Sequence, residues 1–279
     1  MARFERLIRF KSDAGNVHYG EAPLSDPVAG QVVSVYDGNE PWDLKLSNRT
    51  ARVAKVLCPL DFTPIIYGIG LNYKKHIKET GLPAPEYPTV FTKPSGALNG
   101  PFNEILFPDE AWNMDYEGEL CVVIGKDCKD IGENGEPLDY VLGYACGNDA
   151  SARFWQVPDR SGHQHGYAKS FDGFAPLGPV LVSPHVIPHL GQLTLTTRVN
   201  GEERQKISIG DLLFDVGSLV RHLSRGTTIK RGTVIMTGTP GGVAAFMNPP
   251  QWLRDGDQVE VEISRLGKLR NTYRLTSTT

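Results

Sequence analysis

The run Met114-Asp115-Tyr116-Glu117-Gly118-Glu119-Leu120-Cys121-Val122-Val123-Ile124-Gly125 narrows what this chain can become more than any other stretch. Its second half is apolar and β-branched and is stopped by a glycine, the pattern of a buried strand. Residues two apart on a strand share a face. Glu117 and Glu119 therefore project together, with Gly118 adding no bulk between them. Two carboxylates side by side at the end of an apolar strand repel each other and lose hydration. A cation removes both penalties, and carboxylate oxygens suit hard ions such as Mg²⁺, Mn²⁺ or Ca²⁺. Taken alone, Glu-x-Glu also fits a solvated strand end.

A chain of 279 residues, 40% hydrophobic and 22% charged, has ample core for one large globular domain or one plus a small one. Its 30 glycines and 20 prolines, with few long helical patterns, favour a β-rich fold with many turns. The net charge is −3 with no basic run, which argues against nucleic acid as a partner. No apolar run approaches the roughly 20 residues of a membrane helix. The start, Met1-Ala2-Arg3-Phe4-Glu5, lacks an apolar signal core, and Glu5 comes early for a transit peptide. A cytoplasmic location is expected, with a mitochondrial one left open. Cys58, Cys121, Cys128 and Cys146 form no Cys-x-x-Cys pair and read as reduced, buried thiols.

Residues 1–60 alternate short apolar runs with turn signals and read as a small β-rich N-terminal domain without chemistry of its own; residues 61–279 form the remainder. Pro64 to Gly70 is a strand running into a glycine turn, and Lys74 to Gly81 a short helix closed by glycine. His76 and Glu79 share one face of that helix, as an exposed pair or as a base with its orienting carboxylate. Few apolar residues anchor it, Ile77 chief among them, so mobility is expected. Lys93 ends the strand that starts near Pro88 and faces either a site or solvent. The apolar run Val141 to Gly147 delivers Asp149, a helix N-cap or a metal ligand. Leu193 to Val199 runs into Asn200-Gly201, a type I′ hairpin signal. Ser208 to Leu223 carries helical apolar spacing. Thr237-Gly238-Thr239-Pro240 follows a strand and exposes amides and a hydroxyl to an anionic group.

These pieces together resemble the fumarylacetoacetate hydrolase family from about residue 61 onward. The matching segments are Gly70-Leu71-Asn72-Tyr73 with His76 and Glu79, Phe91-x-Lys93-Pro94-Ser95, Asp115-Tyr116-Glu117-x-Glu119-Leu120, Asn148-Asp149-x-Ser151-x-Arg153-x-x-Gln156, Lys169 with Phe171-Asp172, and Thr237-Gly238-Thr239-Pro240. The resemblance implies an α+β, β-rich fold: a mixed β-roll with a small N-terminal domain, usually dimeric. It implies Mg²⁺ or Mn²⁺ on Glu117, Glu119 and Asp149, with Ca²⁺ also suited to the oxygen set and water completing the coordination. His76, Glu79 and Lys169 are the implied catalytic residues, the first two on a lid helix. Arg153, Gln156, Gly238 and Thr239 are the implied substrate-binding residues. The expected activity is hydrolysis of a C–C bond in acylpyruvate- or fumarylpyruvate-type β-diketo acids through a metal-stabilised enolate. The same enolate also serves an oxaloacetate tautomerase or decarboxylase, or an enol-diacid isomerase. A non-catalytic binding protein on the same fold is disfavoured, because the carboxylates, the lysine and the His–Glu pair are all intact.

Overall fold

Every residue of the strand Gly118–Ile124 is buried. Leu120, Val122 and Ile124 enter one hydrophobic cluster, and Cys121 and Val123 enter the other. A strand covered on both faces belongs in the middle of a sheet, and that is its place in the computed structural model. The model describes residues 4–24, 29–81 and 83–276, with the side chains of Glu79 and Thr80 outside the description. The large sheet runs Val17–Glu21, Val32–Asp37, Lys45–Leu57, Arg6–Ser12, Ala175–Val182, Val141–Asn148, Gly118–Ile124, Val234–Met236, Ile66–Gly70, Thr89–Lys93. Most pairs are antiparallel, but Val234–Met236 and Ile66–Gly70 are parallel, so the sheet is mixed as expected. Residues of the first 60 join it directly, Leu7 pairing with Leu181.

A second sheet of five strands, Glu202–Ser208, Thr194–Val199, Gln258–Ile263, Gly267–Thr276 and Ile105–Pro108, folds over the first. Its hairpin has Asn200 at φ 51° and Gly201 at φ 85°, the paired left-handed geometry of a type I′ turn. The sheets meet closely at Gly118. A Cβ there would lie 2.1 Å from Thr197 Oγ1 and 3.1 Å from Gln205 Oε1. Gly118 is thus required on the face opposite to the one its flanking glutamates share.

One local expectation is corrected, and one of two open readings falls away. The helix over Ser208 to Leu223 is only half present: a 3-10 turn covers Ile209–Asp211, and the α-helix spans Val216–Leu223. Asp215 caps the later start by accepting from Ser218 N. Between them the backbone is pulled away, since Leu213 N donates to Asn72 O and Phe214 N to Asn72 Oδ1. A tertiary anchor overrides helical spacing here. Asp149 is no N-cap: the chain continues from Val141–Asn148 into the short strand Ser151–Ala152, paired with Met114–Asp115. All four cysteines are free and buried, as expected. Among the described residues no helix is long and apolar enough to cross a membrane.

Candidate active site

The strand ends deliver the site. Glu117 and Glu119 flank the first residue of Gly118–Ile124, and Asp149 follows the last residue of its antiparallel neighbour, where Gly118 pairs with Asn148. Asp149 N donates to Glu117 O, which locks the two ends together. Oxygen atoms of Glu117, Glu119 and Asp149 lie within 4.8 Å of one another, and all three side chains are buried. Three carboxylates packed this tightly away from water are a donor set for a hard dication.

Cationic side chains brace the cluster. Lys169 Nζ donates to Glu117 Oε2 at 2.7 Å, Asp149 Oδ2 at 2.5 Å and Ser151 Oγ at 2.8 Å. Arg153 NH2 lies 2.5 Å from Glu117 Oε1, and its Nε donates to Asp115 Oδ2 at 2.9 Å. Lys93, fully buried, resolves to the site rather than to solvent. Its ammonium pairs with Asp149 Oδ1 and donates to the carbonyls of Phe174 and Ala150. Lys93 and Asp115 are the residues that motif reasoning quoted without giving them a role. A lysine ending a strand just before a proline was the available signal for the first.

Electrostatics separates the carboxylates. Burial, then Asp149 and Glu117, push Glu119 well above the usual carboxylate range, against Lys169 and the Gly238 amide. Burial also opposes ionisation of Asp149, but Lys169 and Lys93 outweigh it and hold this carboxyl below its ordinary value. Burial works against the charge of Lys169 too, yet Asp149 and Glu117 raise its pKa. On Lys93 burial prevails and lowers the pKa, despite Asp149. Glu119 is therefore the carboxylate whose charge the protein compensates least, and a dication fits that deficit.

The other expected residues gather round this cluster. Gly238 N donates to Glu119 Oε2 at 2.7 Å. Thr239 Oγ1 accepts from Gln205 Nε2 and donates to Gly118 O. Gln156 Oε1 accepts from Arg153 NH1, while its Nε2 is screened from solvent and has no acceptor. Asp115 carries the network outward, accepting from Ala244 N and Ala245 N as well as from Arg153. That fixes the 3-10 turn Ala244–Phe246, whose Phe246 ring meets His76 edge-on at 5.4 Å. His76 is 6% exposed, on the helix Lys74–Thr80. The side chain of Glu79, its expected partner, lies outside the described residues. The helix is better held than its sequence suggests. Tyr73 and Ile77 are buried, and Lys75 N donates to Asp211 Oδ2 at its first turn. Just before it, Asn72 Nδ2 donates to Phe214 O and Thr237 O.

A mixed β-roll with buried carboxylates at its strand ends, braced by buried cations, defines a class of protein. The fumarylacetoacetate hydrolase C-terminal family model matches residues 65–274, and the chain belongs to that family. An uncharacterized protein of Archaeoglobus fulgidus is 46% identical over 207 residues, 74% of this chain and 77% of the relative. The mitochondrial oxaloacetate tautomerase fahd2 of Xenopus laevis is 39% identical over 216 residues, 77% of this chain and 67% of the relative. Among solved structures, a 5-carboxymethyl-2-hydroxymuconate delta-isomerase from Mycobacterium smegmatis superposes with TM-score 0.82 at 32% identity, covering 97% of this chain and 100% of that one. The family's members are enzymes, hydrolases, isomerases and tautomerases among them.

Proposed function

We propose that this protein is a divalent-metal-dependent enzyme that interconverts keto and enol forms of a 2-oxo dicarboxylate of the oxaloacetate type. The observation that carries this is the buried triad Glu117, Glu119 and Asp149, with Lys169 and Arg153 bonded to its oxygens. Bound there, Mg²⁺ or Mn²⁺ would supply Lewis acidity to the oxygens of a 2-oxo acid. Around it, four carboxylates (Asp115, Glu117, Glu119, Asp149) face three cations (Lys93, Arg153, Lys169), so a dication leaves the site net positive and receptive to an anion. Lys169 lends its charge to the oxygen that turns negative when a proton leaves the adjacent carbon. His76 is the group to move that proton, with Glu79 orienting it. Ketonisation breaks one O–H bond and forms one C–H bond, and consumes no water. The likeness to an oxaloacetate tautomerase and to a muconate isomerase supports proton transfer ahead of C–C hydrolysis.

Hydrolysis of acylpyruvates is the second reading, in which His76, buried on the helix Lys74–Thr80, would take a proton from water. A panel of enol-oxaloacetate, acylpyruvates, fumarylpyruvate and hydroxymuconate-type diacids, with Mg²⁺ or Mn²⁺ and product identification, decides between the two. Metal-dependent acceleration of oxaloacetate ketonisation without cleavage products is expected; cleavage of acylpyruvate alone overturns the first reading. His76→Ala is expected to slow turnover by about 10²–10⁴-fold and to leave Mg²⁺ binding intact. Loss of metal binding in that variant would put the histidine among the metal ligands instead.

A further inference from the structure

His165 precedes the helix Gly166–Lys169, whose last residue reaches the carboxylate cluster. It occupies the N-cap position, yet its side chain makes no capping bond. The half-buried ring packs on Phe91, centroids 6.1 Å apart. Lys169 Nζ lies over the same Phe91 ring, 4.9 Å from its centroid. Phe91 in turn packs directly against Gly68, where a Cβ would meet the ring at 2.1 Å, so the ring has no room to retreat on that side. His165 therefore stands beside the site, one aromatic ring removed from Lys169. The charges that act on it belong to the site: Lys169, Glu117, Arg153 and Asp149. Burial first, then Lys169, lower its pKa, so the imidazole is neutral at neutral pH and keeps one N–H donor.

A second, independent donor lies on the same segment. The 3-10 turn Arg153–Gln156 packs against the helix Gly166–Lys169, and Gln156 Nε2 is shielded from solvent without an acceptor. A shielded donor left unpaired is costly, and a ligand acceptor removes that cost. We propose that His165, with Gln156, forms a subsite for the second carboxylate of the substrate and makes the enzyme select 2-oxo dicarboxylates over monocarboxylic 2-oxo acids. A dication held by Glu117, Glu119 and Asp149 would then take the 2-oxo acid end. This rests on the keto–enol function proposed above.

The test uses the full chain with Mg²⁺ and two inhibitors. Oxalate offers only a chelating end; malate adds a distal carboxylate. His165→Ala is expected to weaken malate inhibition about 10–100-fold, the worth of one hydrogen bond to a charged group. Oxalate inhibition and Mg²⁺ affinity should be unchanged. Its kcat/KM for oxaloacetate should fall by the same factor, chiefly through KM, while C3 deuterium exchange into pyruvate should not change. His165→Gln, which keeps a donor, should recover most of the loss. Equal weakening of malate and oxalate, or no weakening of either, overturns the subsite. A wild-type protein that binds oxalate but neither binds malate nor turns over oxaloacetate overturns both the subsite and the function beneath it.

Discussion

Glu119 is the carboxylate of the cluster whose burial the protein offsets least. Its carboxyl is raised well above the ordinary value of 4.5, first by burial and then by Asp149 and Glu117. The folded metal-free protein thus binds this proton more tightly than the unfolded chain does. Stability from this group is complete below the unfolded value and declines as pH rises from there through the raised folded value. Glu119→Gln removes the liability while keeping the shape and the acceptor for Gly238 N. With chelator at pH 8, the variant should be more stable than wild type by about 1 kcal/mol, or about 2–4 °C in Tm. Adding Mg²⁺ or Mn²⁺ should raise the Tm of wild type only. A variant less stable than wild type in chelator, or still stabilised by Mg²⁺, contradicts the assignment. Lys93 is the opposite case, a buried cation whose loss leaves Asp149 with Lys169 alone. Lys93→Met leaves Asp149 Oδ1 without its donor and the Phe174 carbonyl with Ala150 N alone. It should cost about 3–5 kcal/mol in urea unfolding.

At the scale of elements, the site depends on how closely two sheets approach. The strand Gly118–Ile124 presents its glutamates on one side only because the other side meets Thr197 and Gln205 without a Cβ at Gly118. Gly118→Ala should cost about 1–3 kcal/mol as overpacking and weaken metal uptake by tilting both glutamates. Adding Thr197→Ala removes the atom 2.1 Å away and should restore part of the stability in urea titrations. If the double variant is as impaired as the single one, close packing is not the reason for glycine. The His76 helix is tied in the same way at its root, where Asn72 joins the strand end, the 213–214 backbone and Thr237. Such a root permits the tip to move while the first turn stays fixed.

For the whole molecule the expected assembly is a homodimer. Leu106, Trp112, Tyr167 and Leu275 are large apolar side chains left exposed, and Leu106 and Tyr167 line a surface groove of about 800 Å³. Apolar side chains sharing one exposed groove, as Leu106 and Tyr167 do, suit contact with a second copy of the chain. Light scattering at micromolar concentration should return twice the chain mass. A species of single chain mass across the concentration range would leave those residues without a role and remove the dimer.

What the sequence determined by itself is what short-range physics controls. A continuous apolar, β-branched run marks Gly118–Ile124, Asn200-Gly201 dictates its own turn, and the spacing of Glu117 and Glu119 settles that they share a face. The ordered set of motifs named the family, strand ends carrying Glu117, Glu119 and Asp149 and short helices carrying His76 and Lys169. Tertiary structure alone decided the rest. The helix begun at Ser208 breaks because Asn72, far away in the chain, takes its backbone. Asp149 becomes a site carboxylate rather than a cap because its strand end meets that of Glu117. Lys93 turns inward because the acceptors able to repay its desolvation come from residues 149, 150 and 174. His165 has no periodicity or motif to mark it; only the Phe91 ring that it shares with Lys169 brings it beside the site.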